Sequence, residues 1–192
     1  LTNKILNFNW PFELDRVNLY AYSDNFLSDE ECEDIINIGK SKQLQKGTTG
    51  NNNINKSRNS NISWLCPNDN FQLYKKLTDT ITNLNKRFFG FELYGISEGL
   101  QFTNYVAPSG KYDSHVDRCY ETQIRKLSVV ILLSDNFEGG DFELISGDEP
   151  IKLEMKKGKL FVFPSFVLHR VKPITKGERN SLVAWVTGPN FK

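Results

Sequence analysis

The sequence predicts a mainly β fold, a sandwich or jelly roll, with two N-terminal helices packed on a C-terminal β-core. From Gly99 onward, short apolar runs alternate with turn signals such as Ala107-Pro108-Ser109-Gly110, Glu138-Gly139-Gly140 and Gly147-Asp148-Glu149-Pro150. That texture is the signature of about eight short strands. Ahead of it, two stretches carry the spacing of amphipathic helices instead. The composition, 12% aromatic with 14 Phe, leans the same way, because aromatic side chains fit a pleated surface.

Residues 1 to 17 show no clear period, and Val17 to Tyr22 alternates as a short strand. Ser28-Asp29-Glu30-Glu31 opens a helix expected over about 28–44. Ser28 can cap it, and Glu31 can reach back to complete a capping box. Acidic residues in its first turn and Lys40 and Lys42 near its end suit the helix dipole. A polar Gly- and Asn-rich loop, Gly47 to Asn55, leads into a strand that ends at Trp64-Leu65. Asp69 is the expected cap of a second helix, about 69–89, whose apolar face is Phe71, Leu73, Tyr74, Leu77, Ile81, Leu84 and Phe88. Gly90 stops it. The later strands are Leu100 to Tyr105, Leu127 to Leu133, Phe142 to Ile145, Leu160 to Phe163 and Ser181 to Val186.

With no internal repeat and no linker, 192 residues read as one domain, helical support over 1–98 and β-core over 99–192. Lys+Arg 24 against Asp+Glu 23 leaves a net charge of +1, which gives no support to a nucleic-acid or membrane-surface binder. The three cysteines, Cys32, Cys66 and Cys119, lack Cys-x-x-Cys spacing, so a disulfide framework is not expected and a reducing cytoplasm fits. No run reaches the apolar length of a membrane span, and the N-terminus lacks a signal-peptide pattern.

The chain has two histidines, His115 and His169, and both fall at strand edges. His115-Val116-Asp117 followed by a distal His169 is the sequence form of a 2-His-1-carboxylate facial triad. Two neutral imidazoles and one carboxylate hold Fe(II) on one side and leave the opposite positions open. Residues two apart on a strand face the same way, which would bring His115 and Asp117 together. Zinc competes for such ligands, but no cysteine falls at a ligand position; Cys119 lies two past Asp117. Ten positions after His169 comes Arg179, whose planar fork suits a carboxylate at the far end of a pocket.

These residues, with Glu138-Gly139-Gly140-Asp141-Phe142, Phe163-Pro164-Ser165 and His169 through Gly177-Glu178-Arg179, resemble the Fe(II)- and 2-oxoglutarate-dependent dioxygenases, within them the prolyl hydroxylase branch. The resemblance spans about Leu100 to Val186. It implies a double-stranded β-helix, with His115, Asp117 and His169 as iron ligands and Arg179 on the distal carboxylate of 2-oxoglutarate. It also implies O2 as co-substrate and ascorbate as an accessory reductant. Collagen-type relatives usually carry Lys at the Arg179 position; the Arg is similar to bacterial and phage-type relatives. Tyr105, Ser128 and Trp185 are implied around the co-substrate, and Arg58, Ser60 and Trp64 on the substrate side, with Thr48 to Asn55 as a lid. The expected activity is hydroxylation of a protein side chain, peptidyl proline first. A nucleic-acid or small-molecule oxygenase of the same superfamily, and a non-catalytic binding module on the same fold, stay open. The expected partner is a peptide or protein, with no sign of nucleic acid or membrane, and nothing sets the oligomeric state.

Overall fold

The structure is a computed structural model; it describes residues 17–49, 56–118 and 124–191, together with two short strands, β1 (Ile5–Asn7) and β2 (Trp10–Phe12), which form a separate ribbon. The remaining elements in chain order are β3 (Ala21–Ser23), α1 (Asp29–Ser41), β4 (Gln45–Lys46), β5 (Arg58–Asn59), β6 (Asn61–Leu65), α2 (Phe71–Phe88), β7 (Gly95–Ile96), β8 (Leu100–Val106), β9 (Lys111–His115), β10 (Arg125–Leu132), β11 (Phe137–Gly139), β12 (Phe142–Ile145), β13 (Ile151–Lys152), β14 (Leu160–Pro164), β15 (Leu168–Val171) and β16 (Ile174–Thr187). The strands form two antiparallel sheets, as a jelly roll requires. The larger runs β3-β14-β10-β16-β8-β6-β4, with β7 and β11 also paired to β16; the smaller runs β13-β12-β15-β9-β5.

Both helices form largely as their sequences direct. In α1 the Ser28 hydroxyl accepts from the Glu31 N–H at 3.2 Å, and Glu31 Oε2 accepts from the Ser28 N–H at 2.8 Å, which closes the capping box. The helix ends at Ser41 rather than near 44. In α2 the cap is Asn70 instead of Asp69, because Pro67–Asp69 makes one turn of 3-10 helix first. The strand expected over Val17 to Tyr22 is β3, which begins at Ala21, later than the alternation suggests. The last is longer than expected: it begins at Ile174, so Arg179 lies inside β16 and not in a turn before it.

The large sheet is covered on both faces, and its pleat sorts its residues. Leu100 and Phe102 of β8, Leu127, Val129 and Ile131 of β10, Leu160 and Val162 of β14, and Leu182, Ala184 and Val186 of β16 pack with Ile35 and Ile36 of α1 and Leu77 and Ile81 of α2. Burying each such side chain stabilises the fold by about 1.5–3 kcal/mol. Their neighbours on the opposite pleat face the small sheet. Tyr105, Val130, Phe161 and Phe163 join Phe142, Leu144, Val171 and Ile174 in a second cluster between the sheets. That inner space narrows to apolar packing at one end and opens into a cavity at the other.

α1 approaches the sheet closely because residue 39 is glycine. A Cβ there would land in the ring of Phe102, which is fully buried. The Gly39 carbonyl also accepts from Ser63 Oγ at 2.7 Å. Alanine is a better helix former by about 1 kcal/mol, but overpacking here costs about 1–3 kcal/mol. Gly39→Ala should therefore lower the urea midpoint, and an unchanged or raised midpoint would show that the helix can slide without loss.

Candidate active site

β9 and β15 are neighbours in the small sheet, and their register sets His115 opposite His169. The ring centroids are 4.1 Å apart. In each ring Nδ1 meets a main-chain carbonyl two residues back, Asp113 O at 2.8 Å and Val167 O at 3.0 Å. A carbonyl only accepts, so Nδ1 donates in both rings and Nε2 is the nitrogen left to meet a metal. Both Nε2 atoms face Asp117, at 3.7 Å from Oδ1 for His115 and 3.5 Å from Oδ2 for His169. One ligand atom from each of the three residues lies within 4.8 Å of the others. The donor set is thus two imidazole nitrogens and one carboxylate oxygen, with a cavity beside it, which fits Fe(II) held on one face.

Asp117 reaches this position by a route the strand argument misses. β9 ends at His115, and Asp117 lies beyond it. The main-chain N–H groups of Asp117 and Arg118 both donate to Ser165 O at 3.0 Å. Ser128 Oγ donates to Asp117 Oδ2 at 2.7 Å and accepts from Ser165 Oγ at 2.9 Å. Burial disfavours the Asp117 carboxylate, but His169 and His115 beside it and the Ser128 hydroxyl hold it below the usual carboxylate range. Burial, then the neighbouring His169, push His115 down to about 4, against the pull of Asp117. His115 is therefore neutral at pH 7, the form that ligates a metal.

At the other end of the site is Arg179, the largest fully buried side chain, 1% exposed. It stands opposite Tyr105 in the β16–β8 register, its guanidinium 5.7 Å from the Tyr105 ring. Nη1 donates to Ser181 Oγ at 3.2 Å, while Nε and Nη2 are buried with no protein partner. Burial lowers the Arg179 pKa and Tyr105 opposes this; guanidinium still stays charged in proteins. No carboxylate pairs with it among the described residues. A buried cation with two idle donors is costly unless an anion enters. Arg179 and the His-Asp-His group line one cavity of about 410 Å³. A metal-facing carboxylate at one end and a charge-neutralising one at the other describe a dicarboxylate.

The remaining expected residues divide. Tyr105, Trp64 and Trp185 line the cavity, the two indoles with centroids 6.3 Å apart. Ser128 also lines it, but its hydroxyl is engaged by Asp117 rather than turned to the Arg179 end. Arg58 lines the cavity with each of its three nitrogens bonded: Nε to Ser60 Oγ at 2.9 Å, Nη1 to Thr48 O at 3.0 Å and Nη2 to Gln101 Oε1 at 2.8 Å. Ser60 is not among the described residues that line the cavity; it is buried, and its hydroxyl accepts from Arg58. Thr48 and Thr49 border the cavity, while 50–55 of the expected lid and Cys119 lie outside the described residues.

Three participants were not foreseen. Tyr112 stacks on His115 with centroids 3.5 Å apart, and Arg58 lies over its ring at 4.7 Å. Arg125 lies 3.9 Å over Trp185 and is held by Glu98 at 2.6 and 2.7 Å. Ser165 anchors the Asp117 turn through its carbonyl. Sequence spacing carries no signal for a main-chain acceptor, although Ser165 stands in the Phe163-Pro164-Ser165 stretch.

Comparison with known proteins agrees with this geometry. The family model of the 2OG-Fe(II) oxygenase superfamily matches residues 100–187. A PKHD-type hydroxylase of Prochlorococcus marinus (strain AS9601) is 30% identical over 85% of this chain and 76% of its own length. A PKHD-type hydroxylase of Synechococcus sp. (strain CC9311) is 40% identical over 40% of the chain, a match that spans only 36% of that relative. Among solved structures, the viral collagen prolyl hydroxylase of Paramecium Bursaria Chlorella virus-1, in its 2OG complex, superposes with a TM-score of 0.71 at 27% identity, covering 90% of this chain and 97% of its own. The prolyl hydroxylase of Trichoplax adhaerens in complex with a hypoxia inducible factor peptide has a TM-score of 0.76 at 21% identity, covering 89% and 84%.

The Ser128 contact gives a direct test. Groups that orient a metal ligand are typically worth about 10–100-fold in affinity. Ser128→Ala should weaken Mn(II) or Co(II) binding by about tenfold in a chelator competition titration. Unchanged affinity would mean that the Ser165 carbonyl alone places Asp117.

Proposed function

This chain belongs to the 2OG-Fe(II) oxygenase superfamily, and on that premise we propose that it hydroxylates a protein side chain, with peptidyl proline as the substrate residue. The observation that carries the co-substrate half of this reading is Arg179, a buried guanidinium with two idle donors, across the cavity from His115, Asp117 and His169. When bound, iron with 2-oxoglutarate and O2 supplies the oxidation that inserts one oxygen atom into a C–H bond and releases succinate and CO2.

The roles follow from positions. His115, Asp117 and His169 would hold the metal, with Ser128 and the Ser165 turn fixing the carboxylate. Arg179 would anchor the distal carboxylate in a charge-assisted pair, with Ser181 setting the guanidinium plane and Tyr105 flanking it. Trp64 and Trp185 would form the wall past which a substrate side chain enters. At about 410 Å³ the cavity is within the range of small-molecule sites and has room for a dicarboxylate and one side chain. The apolar inner cluster behind it excludes water from the reacting atoms.

The peptide half rests on likeness. The viral and Trichoplax neighbours are prolyl hydroxylases, the latter in complex with a peptide. The near-balanced charge disfavours a phosphate-rich substrate. The whole chain would act as one domain. No helix among the described residues is long and apolar enough to cross a membrane. Cys32 and Cys66 are free thiols, consistent with work in a reducing compartment.

Incubation with Fe(II), 2-oxoglutarate and a panel of proline-containing peptides should release succinate, with one oxygen atom gained on a peptide by mass spectrometry. Asp117→Ala should abolish both signals. If 2-oxoglutarate turns over and no peptide gains oxygen, the prolyl assignment falls and the oxygenase assignment stands.

Loss of one partner from a buried charge pair costs about 2–5 kcal/mol. Arg179→Gln should accordingly raise the KM for 2-oxoglutarate by roughly thirtyfold or more. A KM within a factor of about two of wild type would remove Arg179 from the co-substrate site.

A further inference from the structure

A second concavity, of about 490 Å³, opens next to the catalytic cavity. Its charged lining is Lys46, Lys56, Arg58 and Lys111, and no carboxylate among the described residues lines it. In a chain whose net charge is +1, this is a local excess. Lys111 is partly neutralised, since it holds Asp113 at 2.9 Å. The other three are not. Lys46 and Lys56 are exposed and make no ion pair among the described residues. Among the described residues Arg58 donates to neutral acceptors, Ser60, Thr48 and Gln101, and makes no ion pair, so its charge is unmatched there.

The groove also has the shape of a path for a chain. It lies where the two sheets show their edges: β4 is the outer strand of the large sheet and β5 of the small one. Edge strands leave main-chain groups open to an extended peptide. Its floor is fixed, because Asn59 Nδ2 donates to Ser109 O at 3.2 Å and to Ser109 Oγ at 2.8 Å. Arg58 lines both this groove and the catalytic cavity, so the two are adjacent. A peptide whose reacting residue enters the cavity would lay its flanking residues across Lys46 and Lys56.

We propose that this groove selects substrates with acidic residues flanking the hydroxylated one. The inference rests on the peptide reading given above and adds a charge preference to it. Three uncompensated cations match two or three carboxylates. They fall short of the extended basic face that a phosphate backbone requires, and without them the chain is net negative.

The experiment uses short proline-containing peptides with Asp placed on one or the other side, beside Asn and Lys versions of the same sequences. Binding is read by fluorescence anisotropy on the Mn(II)-loaded protein, and hydroxylation by mass spectrometry under Fe(II) turnover. Exposed pairs are worth little individually, so two together should give the Asp peptides about fivefold tighter binding than the Asn peptides. The preference should fade toward about 0.5 M salt as screening sets in. The double variant Lys46→Glu, Lys56→Glu should reverse the order and favour the Lys peptides, with its melting temperature as the check on folding.

Equal affinity for Asp, Asn and Lys peptides, or a preference untouched by the double variant, overturns the proposal. So does tighter binding of a single-stranded oligonucleotide of equal charge, which would make the groove a phosphate site. If Asp peptides bind with the expected preference and none gains oxygen, the groove stands and the prolyl reading falls. If all the peptides are hydroxylated equally well, the groove falls and the prolyl reading stands.

Discussion

The structure depends on one constraint: the large sheet is packed on both faces, so the pleat must send every other residue to a different interior. Along β16, Leu182, Ala184 and Val186 go to the helices, while Arg179, Ser181, Val183 and Trp185 go to the cavity. β8 divides the same way, with Leu100 and Phe102 outward and Gln101, Thr103 and Tyr105 inward. Helix packing therefore fixes the register of the active site, because a slip by one residue would exchange the two sets. The apolar outer set makes the fold stable enough to hold a polar inner one.

That inner set is expensive. Arg179 has a buried, half-satisfied guanidinium, and His115, Asp117 and His169 crowd three polar groups within 4.8 Å. Replacing them with apolar side chains would suit folding better. Their cost is offset by the main chain, which is already committed. Asp113 and Val167 carbonyls set the imidazoles, and the Ser165 carbonyl sets the Asp117 turn. The small sheet brings the histidines together by cross-strand register, and the bend after β14 delivers the carboxylate. A metal and an anion entering this arrangement find the geometry made and the charges unbalanced in their favour.

Much of this was legible because it follows local rules. The Ser28–Glu31 capping box, the α2 face and the strands from Leu100 onward are patterns of neighbouring residues. The His-x-Asp spacing was legible too, although β9 ends at His115 and the Ser165 carbonyl, rather than strand pairing, holds Asp117. What stayed hidden were contacts made by main chain or across sheets. Nothing in the sequence says that Ser128 will meet Asp117 eleven residues away, or that Arg125 will cover Trp185. Arg58 was legible as a site residue but not in its role, because a long polar side chain can reach solvent, substrate or its own fold equally well.

Arg58 shows how the mouth of the site and its metal end are mechanically joined. Gly47 passes so close that a Cβ there would meet Ser60 Oγ and Arg58 Nε, and its N–H donates to Ser60 O at 2.9 Å. The guanidinium is thereby clamped between the two sheets, bonded to Gln101 on one side and stacked on Tyr112 on the other. Tyr112 in turn stacks on His115. Any displacement of residues 47–49 at the rim must move Arg58, and a moved Arg58 releases the ring that backs a metal ligand. A conservative Lys could keep the charge at this position, but it lacks the planar fork needed to hold Ser60, Thr48 and Gln101 at once. The rim is therefore part of the packing behind the metal site, since Gly47, Arg58, Tyr112 and His115 follow one another in contact.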